Sequence, residues 1–287
     1  MKIGAMLESF RLGFKGGVEK AASLGINGLQ IYATDGEICP DNMTESKIKE
    51  TLDFVKSHGL VISALCGDFG RGFANPDENP ELIEKSKRIL DLSLKLECNI
   101  VTTHIGTVPE KECETKEIMR KACRELALYA DSVGAAFAVE TGPEKGKILG
   151  EFLDSLGASG VRVNFDPANL VMVSDDRPEE ALKYLGKYVV HTHAKDGYML
   201  KKKVEQEISI GAEAKEHEAL MKMGYSYLEV PLGEGDVNFD VYLPALAATG
   251  YNGFLTIERE VGENPEKDIE LAVSFLKDKM TRYNLFG

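Results

Sequence analysis

The chain has no C-x-x-C pair and only five cysteines: Cys39, Cys66, Cys98, Cys113 and Cys123. An odd count without paired spacing argues against a disulfide framework or a structural zinc finger, and suits a reducing cytoplasm. No stretch approaches the roughly 18 apolar residues that a membrane span requires. The opening Met1–Leu7 is interrupted by Glu8 too soon for a signal sequence. Positive charge is scarce as well. The 34 Lys and Arg against 47 Asp and Glu leave a net charge of −13, which makes duplex nucleic acid and anionic membranes poor partners. No low-complexity tract or linker divides the 287 residues. Residues 1–287 are therefore expected to form one domain, soluble and cytoplasmic, with homo-oligomerisation left open.

What is present is a recurring unit. A helical pattern ends in glycine, and a short apolar run follows, as at Leu24-Gly25, His58-Gly59, Val133-Gly134 and Thr249-Gly250. Glycine just past a helix lets the chain reverse into the next strand. Eight strands are expected, near Lys2–Leu7, Gly28–Tyr32, Val61–Cys66, Ile100–Ile105, Phe137–Glu140, Val161–Asp166, Tyr188–Ala194 and Phe254–Glu260. Helical patterns lie between most of them, including Ser46–Ser57, Leu82–Leu96, Lys116–Ser132 and Asp268–Lys279. Eight strands alternating with helices in a chain of this length predict a (β/α)₈ TIM barrel. One connection is too long. Only Phe239–Ala248 is needed as a helix between the last two strands, so Gly197–Gly235 is an extended loop, either a lid over the barrel mouth or a surface elaboration or oligomer contact.

Four residues end successive apolar runs: Glu140, Asp166, His193 and Glu258. Side chains alternate along a strand, and counting back by twos gives Ala138, Asn164, His191 and Thr256. The opposite parity gives Val139, Phe165, Val163, Ile257 and Leu255. In a barrel the apolar set faces the helices, so the four candidates share the inward face at the carboxyl ends. Neighbouring strands lie roughly 4.8 Å apart, close enough for the four to surround one cation. Three carboxylates without one would repel and be driven towards neutrality. Three oxygens and one nitrogen suit one divalent metal ion, Mn²⁺ or Mg²⁺ first, Co²⁺ or Zn²⁺ next.

Further residues are placed to line the same mouth. His104 and Cys66 end the fourth and third strands and are candidates for substrate binding; Cys66 alternatively is an ordinary buried thiol. Lys195 is expected to contact substrate or a ligand carboxylate, and Glu8 either contacts substrate or stays solvated. His191 lies one layer deeper than His193, as a supporting or packing residue. The glycines of Gly13-Phe14-Lys15-Gly16-Gly17 lack the spacing of a phosphate loop and mark a helix start.

Ala138-Val139-Glu140, Asn164-Phe165-Asp166-Pro167-Ala168-Asn169, His193-Ala194-Lys195-Asp196, Leu232-Gly233-Glu234-Gly235-Asp236-Val237 and Gly250–Glu258 resemble, in this order, the xylose isomerase-like TIM barrel superfamily of sugar phosphate isomerases and epimerases. The resemblance covers essentially the whole chain. It implies a divalent metal held by Glu140, Asp166, His193 and Glu258, with Glu140 and Glu258 doubling as catalytic proton carriers. Two positions depart from the pattern. Asn169, counted here among the substrate-binding residues, stands where relatives often have histidine, and Gly146 stands where many ketose 3-epimerases have a second glutamate, with Glu144 nearby.

The chemistry implied is isomerisation or epimerisation of a sugar, polyol or keto-sugar. A cation bridging adjacent substrate oxygens stabilises an enediolate, and carboxylates on opposite faces exchange the proton. The same groups could dehydrate an inosose or keto acid. A non-catalytic sugar-binding barrel is a further alternative. An apurinic endonuclease shares the fold, but five histidines and the negative balance fit it poorly. The acidity tilts the substrate towards uncharged polyols rather than sugar phosphates.

Overall fold

A computed structural model describes residues 1–286. Eight parallel strands close into a barrel. They are β1 (Lys2–Met6), β2 (Gly28–Tyr32), β3 (Val61–Cys66), β4 (Ile100–Thr103), β5 (Ala136–Glu140), β6 (Val161–Phe165), β7 (Val189–Ala194) and β10 (Phe254–Ile257). Neighbours follow chain order, and β10 closes the circle between β7 and β1. The helices between them are α1 (Gly13–Ser23), α2 (Glu45–Ser57), α3 (Asn79–Lys95), α4 (Glu114–Val133), α5 (Gly146–Asp154) and α6 (Pro178–Leu185). After the long connection come α9 (Phe239–Ala248) and α10 (Pro265–Arg282).

The alternation along the strands explains the layering. Phe137, Val139, Val161, Val163, Phe165, Leu255 and Ile257 point outward and are buried in the core shared with the helices. The inward set is small or polar: Ala138, Asn164, His191 and Thr256 are all buried inside the barrel. Phe254 is the inward exception near the amino ends. A Cβ at Gly28 would come within 2.5 Å of its ring, so glycine there is what lets the ring fit. Helices begin and stop where their ends demand. Thr44 Oγ1 accepts from the Lys47 N–H to start α2, Asn264 Oδ1 accepts from the Lys267 N–H to start α10, and Gly134 (φ 76°) ends α4 in the left-handed region.

The long connection after β7 is present but ordered. β8 (Asp196–Met199) pairs antiparallel with β9 (Tyr227–Val230), and between them stand α7 (Leu200–Ser209) and α8 (Lys215–Lys222). Its sequence hid this because both strands are four residues long and both helices have little buried surface. Asp196 ties the two ends together. Its carboxylate accepts the N–H groups of Gly197, Gly233, Gly235 and Val237 at 2.9–3.1 Å. Among the described residues, no helix is long and apolar enough to cross a membrane.

Candidate metal centre

The carboxyl ends of β5, β6, β7 and β10 bring Glu140, Asp166, His193 and Glu258 together. One ligand atom from each lies within 4.8 Å of all the others, and all four residues are buried. His193 Nδ1 sits at the hub, 3.2 Å from Glu258 Oε2, 3.5 Å from Asp166 Oδ2 and 3.6 Å from Glu140 Oε1. Glu140 closes its strand, whereas Asp166 and Glu258 stand one residue past theirs. The Glu258 N–H donates to Ala194 O at 3.3 Å, which keeps Glu258 beside β7.

Each of the four side chains is held from behind. Asp166 Oδ1 caps the turn Pro167–Asn169 by accepting the N–H groups of Ala168 and Asn169, and its Oδ2 is left bare. Asn169 Nδ2 donates to Glu140 Oε1 at 2.9 Å, and Asn164 Nδ2 donates to Oε2 at 3.2 Å. His191 Nδ1 lies 2.8 Å from Asn164 Oδ1 and its Nε2 lies 3.0 Å from Thr256 Oγ1. Burial pushes the His191 pKa well down, so the ring is neutral and passes a hydrogen-bond chain to Glu140. His191 is thus a supporting residue. Gln30 Oε1 lies 3.0 Å from His193 Nε2, while Gln30 Nε2 donates to Thr102 Oγ1 at 3.0 Å.

Two fully buried atoms in this cluster have no hydrogen-bond partner, Asp166 Oδ2 and His193 Nδ1. Such orphans are costly unless something satisfies both. Burial pushes the His193 pKa down, but the Glu258 and Glu140 carboxylates outweigh it and carry the pKa well above the usual range. The field at the centre therefore draws positive charge. A dication with oxygen and nitrogen preferences fits this donor set.

Around the cluster is a cavity of about 120 Å³. His104, Cys66, Asn169 and Lys195 all line it. His104 Nδ1 bonds Asp68 Oδ2 at 2.9 Å and its Nε2 lies 3.5 Å from Glu140 Oε1. The Glu140 charge, with Asp68 behind it, carries the His104 pKa to about 9 against the pull of burial. Burial pushes the Cys66 thiol up to about 12, so it is no nucleophile. Lys195 Nζ donates to Glu258 Oε2 at 2.9 Å, bonds Glu260, and lies 3.7 Å from Glu229 Oε2. Burial lowers its pKa, but Glu258, Asp166, Glu260 and Glu229 more than reverse this. It is a fixed cation.

Glu8 stands apart. Its Oε1 accepts the Tyr32 N–H at 3.1 Å, and it lines an adjoining cavity that shares only Tyr32 with this one. Of the two readings of the 197–235 segment, the structure shows the surface elaboration, with no described residue from 197 to 235 lining the cluster's cavity. The insertion braces the site from outside instead. Glu229 Oε1 on β9 accepts from Arg259 Nη1 at 2.6 Å and from the Glu260 N–H at 3.1 Å. Gln30 was visible in the sequence as a polar residue in an apolar run, whereas Glu229 had no such signal.

A family model described as xylose isomerase-like TIM barrel matches residues 18–279. The chain belongs to this family. Among solved structures, this xylose isomerase-like barrel is similar to a xylose isomerase domain protein from Planctomyces limnophilus. Identity there is 26%, over 93% of this chain and 92% of the other, with a TM-score of 0.76. D-psicose 3-epimerase from Clostridium cellulolyticum H10 is 17% identical over the whole of both chains, with a TM-score of 0.72. A probable 3-DHS dehydratase from Bacillus anthracis is 20% identical over 96% and 99%, with a TM-score of 0.71. At those identities the last two establish a shared fold.

Proposed function

We propose that the protein is a divalent-metal-dependent isomerase or epimerase of a sugar or sugar phosphate, with Glu140, Asp166, His193 and Glu258 as the metal ligands. The carrying observation is the facing pair of orphaned buried atoms, Asp166 Oδ2 and His193 Nδ1, 3.5 Å apart between two glutamates. When bound, the cation would lower the cost of negative charge on neighbouring substrate oxygens.

The chain's own groups supply the proton transfers. Burial alone would raise the Glu258 pKa, but charge on His193 and Lys195 holds it well below the usual carboxylate range. Glu258 is therefore ionised and able to take a proton from a carbon beside a carbonyl. Glu140, fixed by Asn169 and Asn164, stands on the other side, where it passes on a proton received from His104, whose Nε2 lies 3.5 Å away. Return to the same carbon inverts its configuration; return to the neighbouring carbon moves the carbonyl. Either way one proton leaves and one arrives, and no external oxidant is needed. The Lys195 ammonium stabilises charge on a substrate oxygen.

A dehydratase reading draws on one specific feature. His104, with a pKa near 9 and its Nδ1 tied to Asp68, is an acid in the cavity able to protonate a departing hydroxyl. The solved relatives include a D-psicose 3-epimerase and a probable 3-DHS dehydratase, which fits both readings. Incubation with Mn²⁺ in D₂O, with NMR over a panel of ketoses, inososes and their phosphates, separates them. One deuterium at an inverted or shifted centre supports the isomerase, and loss of water supports the dehydratase. Glu258→Gln should abolish exchange, whereas near-normal turnover removes it as the proton carrier.

A further inference from the structure

Six large apolar side chains lie exposed between residues 208 and 227: Ile208, Ile210, Met221, Met223, Tyr225 and Tyr227. Ile210 and Met223 are 75% and 72% exposed. Six such residues within twenty positions are a concentration of exposed apolar side chains that marks an interaction surface.

The insertion that carries them is a hairpin. The ribbon pairs Met199 with Tyr227, the Leu200 N–H donates to Ser226 O at 3.0 Å, and His217 Nδ1 lies 2.9 Å from Glu207 Oε2. These cross-links make α7 and α8 antiparallel, so the insertion has a tip and a base. The tip holds Ile208 and Ile210 beside the exposed acids Glu213 and Glu216; Lys215 lies 3.1 Å from Glu213, so Glu216 carries the tip's unpaired negative charge. The base holds Met223, Tyr225 and Tyr227 beside the exposed cations Lys201 and Lys222, while Lys202 is already paired with Asp175.

Apolar residues thus meet opposite charge at the two ends of one surface. Such a surface is complementary to itself when turned through 180°. We propose that the insertion is the interface of a twofold homodimer, in which the tip of one copy lies against the base of its partner. A second copy fits better than an unrelated protein, because each end supplies the charge that the other lacks. The contact also rests on the element whose β9 carries Glu229, so pairing steadies the brace behind Lys195 and Arg259.

Sedimentation velocity of the full chain from 1 to 100 µM tests this, with a species of about 63 kDa expected, twice the 31.5 kDa chain. Ile210→Glu with Met223→Glu should weaken association at least a hundredfold without changing the circular dichroism. The charge variants test the tip-to-base arrangement. Lys201→Glu with Lys222→Glu, and separately Glu213→Lys with Glu216→Lys, should each associate at least tenfold more weakly than the unaltered chain. An equimolar mixture of those two variants should recover the dimer, because both of its contacts are then complementary. A 31.5 kDa species at every concentration overturns the proposal and leaves the face to a different protein. A dimer that survives all the variants, or a mixture that does not recover, overturns it too.

Discussion

One imidazole has two nitrogens, and Gln30 decides which of them faces the cluster bare. Thr102 Oγ1 donates to Leu65 O, so it accepts from Gln30 Nε2, which turns Gln30 Oε1 towards His193 Nε2. Nε2 then donates to Gln30, and Nδ1, which the surrounding carboxylates keep protonated, is the nitrogen that faces the centre and would give up its proton to a bound cation. Asn164 Nδ2 also lies 3.2 Å from Nε2, and one of its two hydrogens goes to Glu140 Oε2. Glu144 poses a separate question, because it is buried and its Oε2 accepts only the Val108 N–H. Burial carries its pKa to about 7 from an ordinary value of 4.5. The folded state therefore binds this proton more tightly than the unfolded chain does. Its contribution to stability is whole below pH about 4.5 and is lost as pH rises through about 7. Glu144→Gln stays neutral and still accepts from Val108, so it should match the unaltered chain near pH 4.5 and exceed it by on the order of 3 kcal/mol at pH 8. Urea unfolding across that range checks this; parallel pH curves would mean Glu144 ionises freely. The four strand-end residues were legible because their type and parity agreed, whereas the proton placement that Gln30 sets depends on contacts across the barrel.

The barrel strands were legible because each leaves one small or polar face and one apolar face, a pattern that only a two-residue period produces. Phe137–Glu140 and Val161–Asp166 were anticipated to within a residue of β5 and β6. Strands β8 and β9 were not, since Asp196 and Glu229 are buried for hydrogen bonds rather than for apolar contact. Asp196 is the joint of that element. Replacing it with alanine leaves four N–H groups without their acceptor, a loss of about 2–4 kcal/mol if they stay dry. The ribbon should loosen before the barrel does. Hydrogen exchange read by mass spectrometry is expected to rise at least tenfold over 196–199 and 227–237 in Asp196→Ala, with β1 to β7 unchanged. Uniform loosening of the whole chain would show instead that the ribbon and barrel open together.

At the scale of the molecule, the four proposed ligand residues come from positions 140 to 258 and meet only when four strands are in register. The unfolded chain has no such site, so a cation that binds there stabilises the fold by mass action. At a hundredfold excess over its dissociation constant the gain is about 2.7 kcal/mol. For a chain of this size that corresponds to a Tm rise of roughly 5 °C. The 47 carboxylates of the acidic chain also bind divalent ions loosely, which makes a matched control necessary. Asp166→Asn supplies it. Asparagine keeps the oxygen that caps Ala168 and Asn169, so the turn should survive, but it replaces the bare carboxylate oxygen with an amide. The variant is expected to melt within a degree or two of the unaltered chain in EDTA and to lose most of the rise in Mn²⁺. Equal rises in both proteins would place the bound ions on the acidic surface, and the inward carboxylates would then need another explanation for their company.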